Sequence, residues 1–122
     1  MAAAAGLATL EVYKEEGLFE RALAMEKKWS DAAMSLKGKP LVEDIRTIGL
    51  VAGIDLTPLA GAPGKRAYEA MERGFHDHDI MLRITGDTIA MSPPLIITES
   101  QIGEIFEKRL PALLKDLAAL KG

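Results

Sequence analysis

Residues 81–97 read MLRITGDTIAMSPPLII, and the fold follows from how this stretch turns back on itself. Two runs rich in β-branched and apolar side chains flank Gly86 and Asp87. A two-residue loop with glycine first suits a type II′ turn, whose twist matches that of paired strands. The loop then sets the register: Thr85 opposite Thr88, Ile84 opposite Ile89, Arg83 opposite Ala90 and Leu82 opposite Met91. Successive residues point to opposite sides, so Leu82, Ile84, Ile89 and Met91 make an apolar face. The other face holds Arg83 among Thr85, Thr88, Ala90 and Ser92, all small or hydroxylic. None of these is a carboxylate that could neutralise the guanidinium, so the face is open to an anionic ligand. A solvated or purely structural strand arginine fits the same pattern.

Downstream of the hairpin, Pro93 and Pro94 stop ladder pairing and send the chain out extended. Thr98 and Gln101 then form the S/T-x-x-E/Q capping box, with Ile97 and Ile102 in the two positions of a hydrophobic staple. Ile102, Ile105, Phe106, Leu110, Leu113, Leu117 and Leu120 give the last helix a long apolar face. Pro111 lies inside that pattern, lacks an amide donor and crowds the carbonyl four residues back, which predicts a kink over 107–110.

Upstream, residues 2–15 favour helix through alanine and leucine, with no capping residue ahead of them, and Gly17 is a plausible stop. In the next helix Leu18, Ala22, Met25, Trp29, Ala32 and Leu36 recur at steps of four and three, so Trp29 is expected to anchor the core. Gly38, Lys39 and Pro40 supply the stop. The stretch LVEDIRTIGLVAGIDL at 41–56 reads as two strand segments or one long bent strand. Gly49 and Gly53, four apart, suggest close approach of a helix or another backbone. The loop TPLAGAPG at 57–64 has neither the Walker pattern nor the dinucleotide-binding spacing, so it reads as a surface connection. A third helix is expected over 65–76 with Ala67, Ala70, Met71 and Phe75 inward and a weak end near Gly74. The order helix, helix, strand, strand, helix, hairpin, helix predicts an α+β fold, a small mostly antiparallel sheet packed against helices.

At 122 residues the chain fits one domain, 1–122, and a chain of this length buries roughly two-thirds of the surface its unfolded form exposes. With 48% apolar and 27% charged residues it has an ordinary globular composition. The net charge of -3, from 15 basic and 18 acidic residues, gives no electrostatic footprint for nucleic acid or an anionic membrane, and no run of residues is apolar enough to span a bilayer. The absence of cysteine excludes disulfides and thiolate chemistry and is compatible with a cytoplasmic location.

The candidates for chemistry are few. His76, Asp77, His78 and Asp79 offer metal-competent groups, but neighbours at a helix end point in different directions and no further histidine completes a shell, so a solvated helix terminus is the expectation and no metal is assigned. No G-x-S-x-G elbow accompanies the histidines. Glu15 with Glu16 and Glu43 with Asp44 read as exposed pairs. Lys14, Lys27, Lys28, Lys37, Lys65, Lys108, Lys115 and Lys121 fall on polar faces or at ends, where nothing would depress an amine into a nucleophile. Arg83 is left as the one candidate substrate-binding residue.

Taken together, IMLRITGDTIAMSPPLIIT at 80–98, GAPGKRAYEAMERGFHDHDI at 61–80 and DIRTIGLVAGIDL at 44–56 closely resemble the C-terminal small domain of class III pyridoxal-phosphate-dependent aminotransferases, nearest to the ω-amino acid (β-alanine):pyruvate branch. AAAAGLATLEVYKEEGLFERA at 2–22 looks like the helix that follows the large domain in that family. By this resemblance Arg83 corresponds to the arginine that receives the substrate α-carboxylate and that swings aside for substrates lacking the group. The resemblance further implies pyridoxal 5'-phosphate in the parent enzyme, an amine or ω-amino acid donor, pyruvate as acceptor, and a large domain and homodimer partner against which this domain sits. No lysine here matches the family's Schiff-base motif, which would lie before Met1. The chain is therefore expected to be a truncated C-terminal piece that binds no cofactor and is inactive alone. The alternative is a free-standing small-carboxylate-binding or protein-interaction module derived from that domain.

Overall fold

Turn chemistry decides both hairpins. In the computed structural model, which describes residues 1–120, β1 (Val42–Ile48) and β2 (Val51–Leu56) are joined by Gly49 and Leu50, and β3 (Arg83–Thr85) and β4 (Thr88–Met91) by Gly86 and Asp87. Gly49 and Gly86 take φ of 54° and 57° while the residues after them stay out of the positive region, the combination a type II′ loop requires. The second hairpin has the expected register, Arg83 opposite Ala90, Ile84 opposite Ile89 and Thr85 opposite Thr88. Leu82 and Met91 lie beyond that ladder but are both buried. The stretch 41–56 is two strands rather than one bent strand. Its pairs run from Ile48 with Val51 through Arg46 with Gly53 to Asp44 with Asp55, and an irregularity separates Val42 from Asp44. Because β4 also pairs antiparallel with β2, the sheet order is β1-β2-β4-β3.

Helices cover one side of this sheet, giving the α+β fold that the order of elements predicts. They are α2 (Leu18–Met34), α3 (Lys65–Asp77), α4 (Glu99–Gly103) and α5 (Leu110–Ala119), while α1 (Ala2–Glu15) packs on α2 and buries no residue. Trp29 of α2 is fully buried and meets the edge of Phe106 at 5.0 Å between ring centroids, a pairing worth about 0.5–1.5 kcal/mol beyond its buried area. Around it Leu36, Ile54, Leu56, Ile89, Leu113 and Leu117 complete a single core cluster. Arg21 fastens α2 to the segment before α4 by donating to the carbonyls of Leu95 and Ile97.

Several expectations are corrected. Helix α2 ends at Met34, ahead of Gly38, Lys39 and Pro40; Ala32 packs half-buried against the core as expected, Ala33 is fully buried beside it, and Leu36, buried as expected, lies in the following turn. In α3 the inward residues are Ala67, Ala70 and Gly74, whereas Phe75 is 59% exposed and Met71 half-buried. Gly74 is no weak end. A Cβ there would lie 3.0 Å from the Ile80 carbonyl oxygen, so glycine lets the backbone leading into β3 press against the helix. The close backbone approach anticipated at Gly49 and Gly53 is absent: Gly49 faces open space, and Gly53 lies beneath the Arg46 guanidinium. Near Pro111 the chain adopts a π-helical segment, Glu104–Arg109, in which the Leu110 N–H donates to the Ile105 carbonyl five residues back. The wider turn lies where the kink is expected and accommodates the donor that proline lacks. At the N-terminus of α4 both halves of the capping box form: Gln101 N–H to Thr98 Oγ1 at 3.2 Å, and Thr98 N–H to Gln101 Oε1 at 2.9 Å.

Asp87 joins three elements. Its side chain accepts the Gly64 N–H at 2.6 Å where α3 begins, and its carbonyl accepts the Leu56 N–H at 2.9 Å where β2 ends.

Candidate functional site

The side of the sheet away from the helices carries the polar chemistry. Strand pairing lines up Arg46, Gly53, Ala90 and Arg83 in one transverse row and Asp44, Asp55, Thr88 and Thr85 in the next. Adjacent strands lie about 4.8 Å apart, so the two arginine positions are separated by roughly 14 Å across a floor of glycine and alanine. Period-two alternation puts these residues outward while Ile54, Ile89 and Leu56 go to the core.

The two arginines have different surroundings. Arg46 is held by two carboxylates: Nη1 and Nη2 donate to the two oxygens of Asp55 at 2.5 and 2.8 Å, and Nη1 also donates to Asp44 at 2.8 Å. Asp55 further accepts from Thr88 Oγ1 at 2.6 Å. The Arg46 bond, followed by the Thr88 bond, holds the Asp55 carboxyl below its ordinary range, and Asp55 and Asp44 raise the Arg46 guanidinium above its own. Arg83, by contrast, is exposed and makes no hydrogen bond or ion pair among the described residues. It borders a cleft of about 430 Å³ whose wall includes Trp29, Ile80, Ser92 and Pro93. A planar, uncommitted guanidinium beside small side chains can take a carboxylate through two parallel N–H bonds.

Sequence reasoning singled out Arg83, which the structure leaves exposed and unpaired among the described residues, and missed the Arg46, Asp55 and Thr88 network. The signal was present: once Gly49 and Leu50 are read as a two-residue loop, register alone sets Arg46 diagonal to Asp55.

The other candidates separate. His76 stays exposed, but His78 is no solvated terminus, since its Nε2 lies 2.8 Å from Asp116 of α5 with the imidazole only 13% exposed. Arg109, in the π-helical segment, binds Glu104, Asp79 and the His78 carbonyl, closing a polar lock between α3 and the last helices. Among the described residues no group of three or more His, Asp or Glu gathers as a metal cluster. Glu15, Glu16, Glu43 and Asp44 are all exposed, as are Lys14, Lys27, Lys28, Lys37, Lys65, Lys108 and Lys115; Lys121 lies outside the described residues. No helix among the described residues is long and apolar enough to cross a membrane.

Comparison with known proteins bears on this arrangement. The family described as aminotransferase class-III matches residues 1–113. An omega-aminotransferase of Caulobacter vibrioides is 50% identical over 107 residues, covering 88% of this chain and 24% of that protein. An acetylornithine aminotransferase of Mycolicibacterium smegmatis is 41% identical over 118 residues, covering 95% of this chain and 27% of its own length. Among solved structures, a transaminase with L-alanine superposes with a TM-score of 0.87 at 30% identity, over 97% of this chain and 29% of that one. The chain thus spans about a quarter of the length of the relatives it matches.

Proposed function

The chain belongs to the class III aminotransferase family, and from that premise we propose that residues 1–122 act as one small domain giving substrate recognition to an ω-amino acid:pyruvate aminotransferase, with Arg83 as carboxylate anchor. The observation that carries this reading is the contrast on one sheet face between an Arg46 held by two carboxylates and an uncommitted Arg83. The donor would be an amine or ω-amino acid and the acceptor pyruvate, in a cytoplasmic homodimer.

Aminotransferases of this class use pyridoxal phosphate, which when bound supplies an electron sink for amino-group transfer. The described residues do not fit that cofactor. Its attachment needs a lysine amine in a desolvated setting, and every lysine among the described residues is exposed. Cofactor chemistry would then belong to a large domain, in keeping with the quarter of the relatives' length covered here, and this chain alone would not transaminate. Its own residues would bind and orient: Arg83 pairs with the carboxylate, and Ala90 leaves room beside it in the cleft.

The test is Arg83→Ala in the full-length enzyme, with pyruvate and the carboxylate-free acceptor propanal assayed separately. Losing a charged hydrogen-bond pair should raise KM for pyruvate by about 10- to 100-fold, with little change for propanal. An unchanged pyruvate KM would remove Arg83 from substrate binding.

A further inference from the structure

We propose that Arg46 is a positioning residue for this site: by clamping Asp55 it keeps Arg83 free for the substrate carboxylate. The inference rests on the reading of Arg83 as carboxylate anchor and goes further, because it names what protects that anchor from the protein's own acids.

Asp55 is the internal competitor. It lies directly opposite Thr88, and Thr88 is the diagonal neighbour of Arg83 across the second hairpin. Diagonal positions on one face are about 7–8 Å apart, within reach of a long side chain. The Asp55 carboxylate already leans toward that side, since it accepts from Thr88 Oγ1 at 2.6 Å. An Arg83 guanidinium lying over Ala90, where only a methyl group intervenes, would meet it. Such a pair would consume the two parallel N–H donors that a substrate carboxylate needs.

Arg46 prevents this by geometry and by charge. It engages both Asp55 oxygens at once, and its fork is fixed from behind by Asp44. The guanidinium crosses β2 above Gly53, where a Cβ would be in ordinary contact with it, 3.5 Å from Arg46 Nη2. Without Arg46, Asp44 and Asp55 would stand as two uncompensated carboxylates on the face that must attract an anion. Loss of Arg46 should therefore weaken carboxylate-bearing substrates selectively, and removing Asp55 should reverse the loss.

The experiment compares Arg83→Ala, Arg46→Ala and the double variant Arg46→Ala with Asp55→Asn in the full-length enzyme, with pyruvate and propanal as acceptors. Arg46→Ala is expected to raise KM for pyruvate by roughly two- to fivefold, the size set by an exposed ion pair, with kcat and the propanal KM little changed. The double variant should return the pyruvate KM toward the parent value. If Arg46→Ala does not give folded protein, Arg46→Lys, which keeps the charge but not the fork, should show a smaller rise that Asp55→Asn again reverses. Equal losses for pyruvate and propanal, or no reversal by Asp55→Asn, would make Arg46 merely structural and overturn the inference while leaving the Arg83 reading intact. An Arg83→Ala enzyme with normal pyruvate KM would instead remove the reading on which it rests.

Discussion

Gly74 sets two opposing effects against each other. Alanine is the better helix former by about 1 kcal/mol, yet its methyl group would press against the Ile80 carbonyl oxygen at 3.0 Å and Leu82 Cδ1 at 3.3 Å. Backbone cannot rotate away as a side chain can, so overpacking should win and Gly74→Ala should destabilise by about 1–3 kcal/mol, read as a lowered urea midpoint at unchanged slope. A raised midpoint would show that the backbone before β3 yields. This residue also explains why periodicity misjudged α3: counting apolar side chains selects Phe75, and nothing in the sequence says that the absence of a side chain is what packs. Asp55 makes a pH-dependent prediction. Its carboxyl is held below the ordinary value of 3.8 by Arg46 and Thr88, so the folded state binds that proton less readily than the unfolded chain. The stability it contributes is present above the unfolded value and is lost as pH falls through the lower folded one. Denaturation midpoints measured from pH 6 downward should fall less steeply in Asp55→Asn than in the parent; parallel acid limbs would show that the pair contributes nothing to folding.

At the level of elements, sequence was most informative where a turn or cap has its own chemistry. The register of the Arg83 hairpin was legible because Gly86 starts a two-residue loop and strand side chains alternate with period two. The capping box was legible because Thr98 and Gln101 satisfy each other's amides. Thr98→Ala should accordingly cost about 1 kcal/mol, measurable by chemical denaturation, and Thr98→Ser should recover most of it. The π-helical segment was only half legible. Pro111 announces a disturbance, but that the turn ahead of it widens depends on what that turn can bind, and here Arg109 finds Glu104, Asp79 and the His78 carbonyl. Those partners lie about thirty residues upstream or on the neighbouring turn, beyond what local pattern shows. For the same reason His78 read as a helix end open to water, although its partner Asp116 waits on α5.

For the molecule as a whole, the notable feature is what stays uncovered. Helix α1 buries no residue, and Leu7, Leu10, Phe19 and Leu23 of α1 and α2 are 66%, 59%, 60% and 72% exposed. Ile48 and Val51 at the tip of the first hairpin are exposed as well. Apolar side chains grouped in this way favour association, so the 122-residue chain by itself should self-associate in light scattering and bind a hydrophobic dye. Leu23→Lys together with Phe19→Lys should reduce both signals; a monodisperse parent chain that binds no dye would refute the expectation. The polar side of the sheet shows a different economy, because one residue of the Arg83 turn governs distant joints. Asp87 belongs to the loop that leads out of the Arg83 strand, yet it also holds the amide of Gly64, the N-cap of α3, and the last amide of β2. Lengthening that loop would move a helix start and a strand end together with the arginine. Libraries that vary Ala90 and Ser92 while keeping Gly86 and Asp87 would alter the wall of the cleft beside Arg83 and leave its hinges in place.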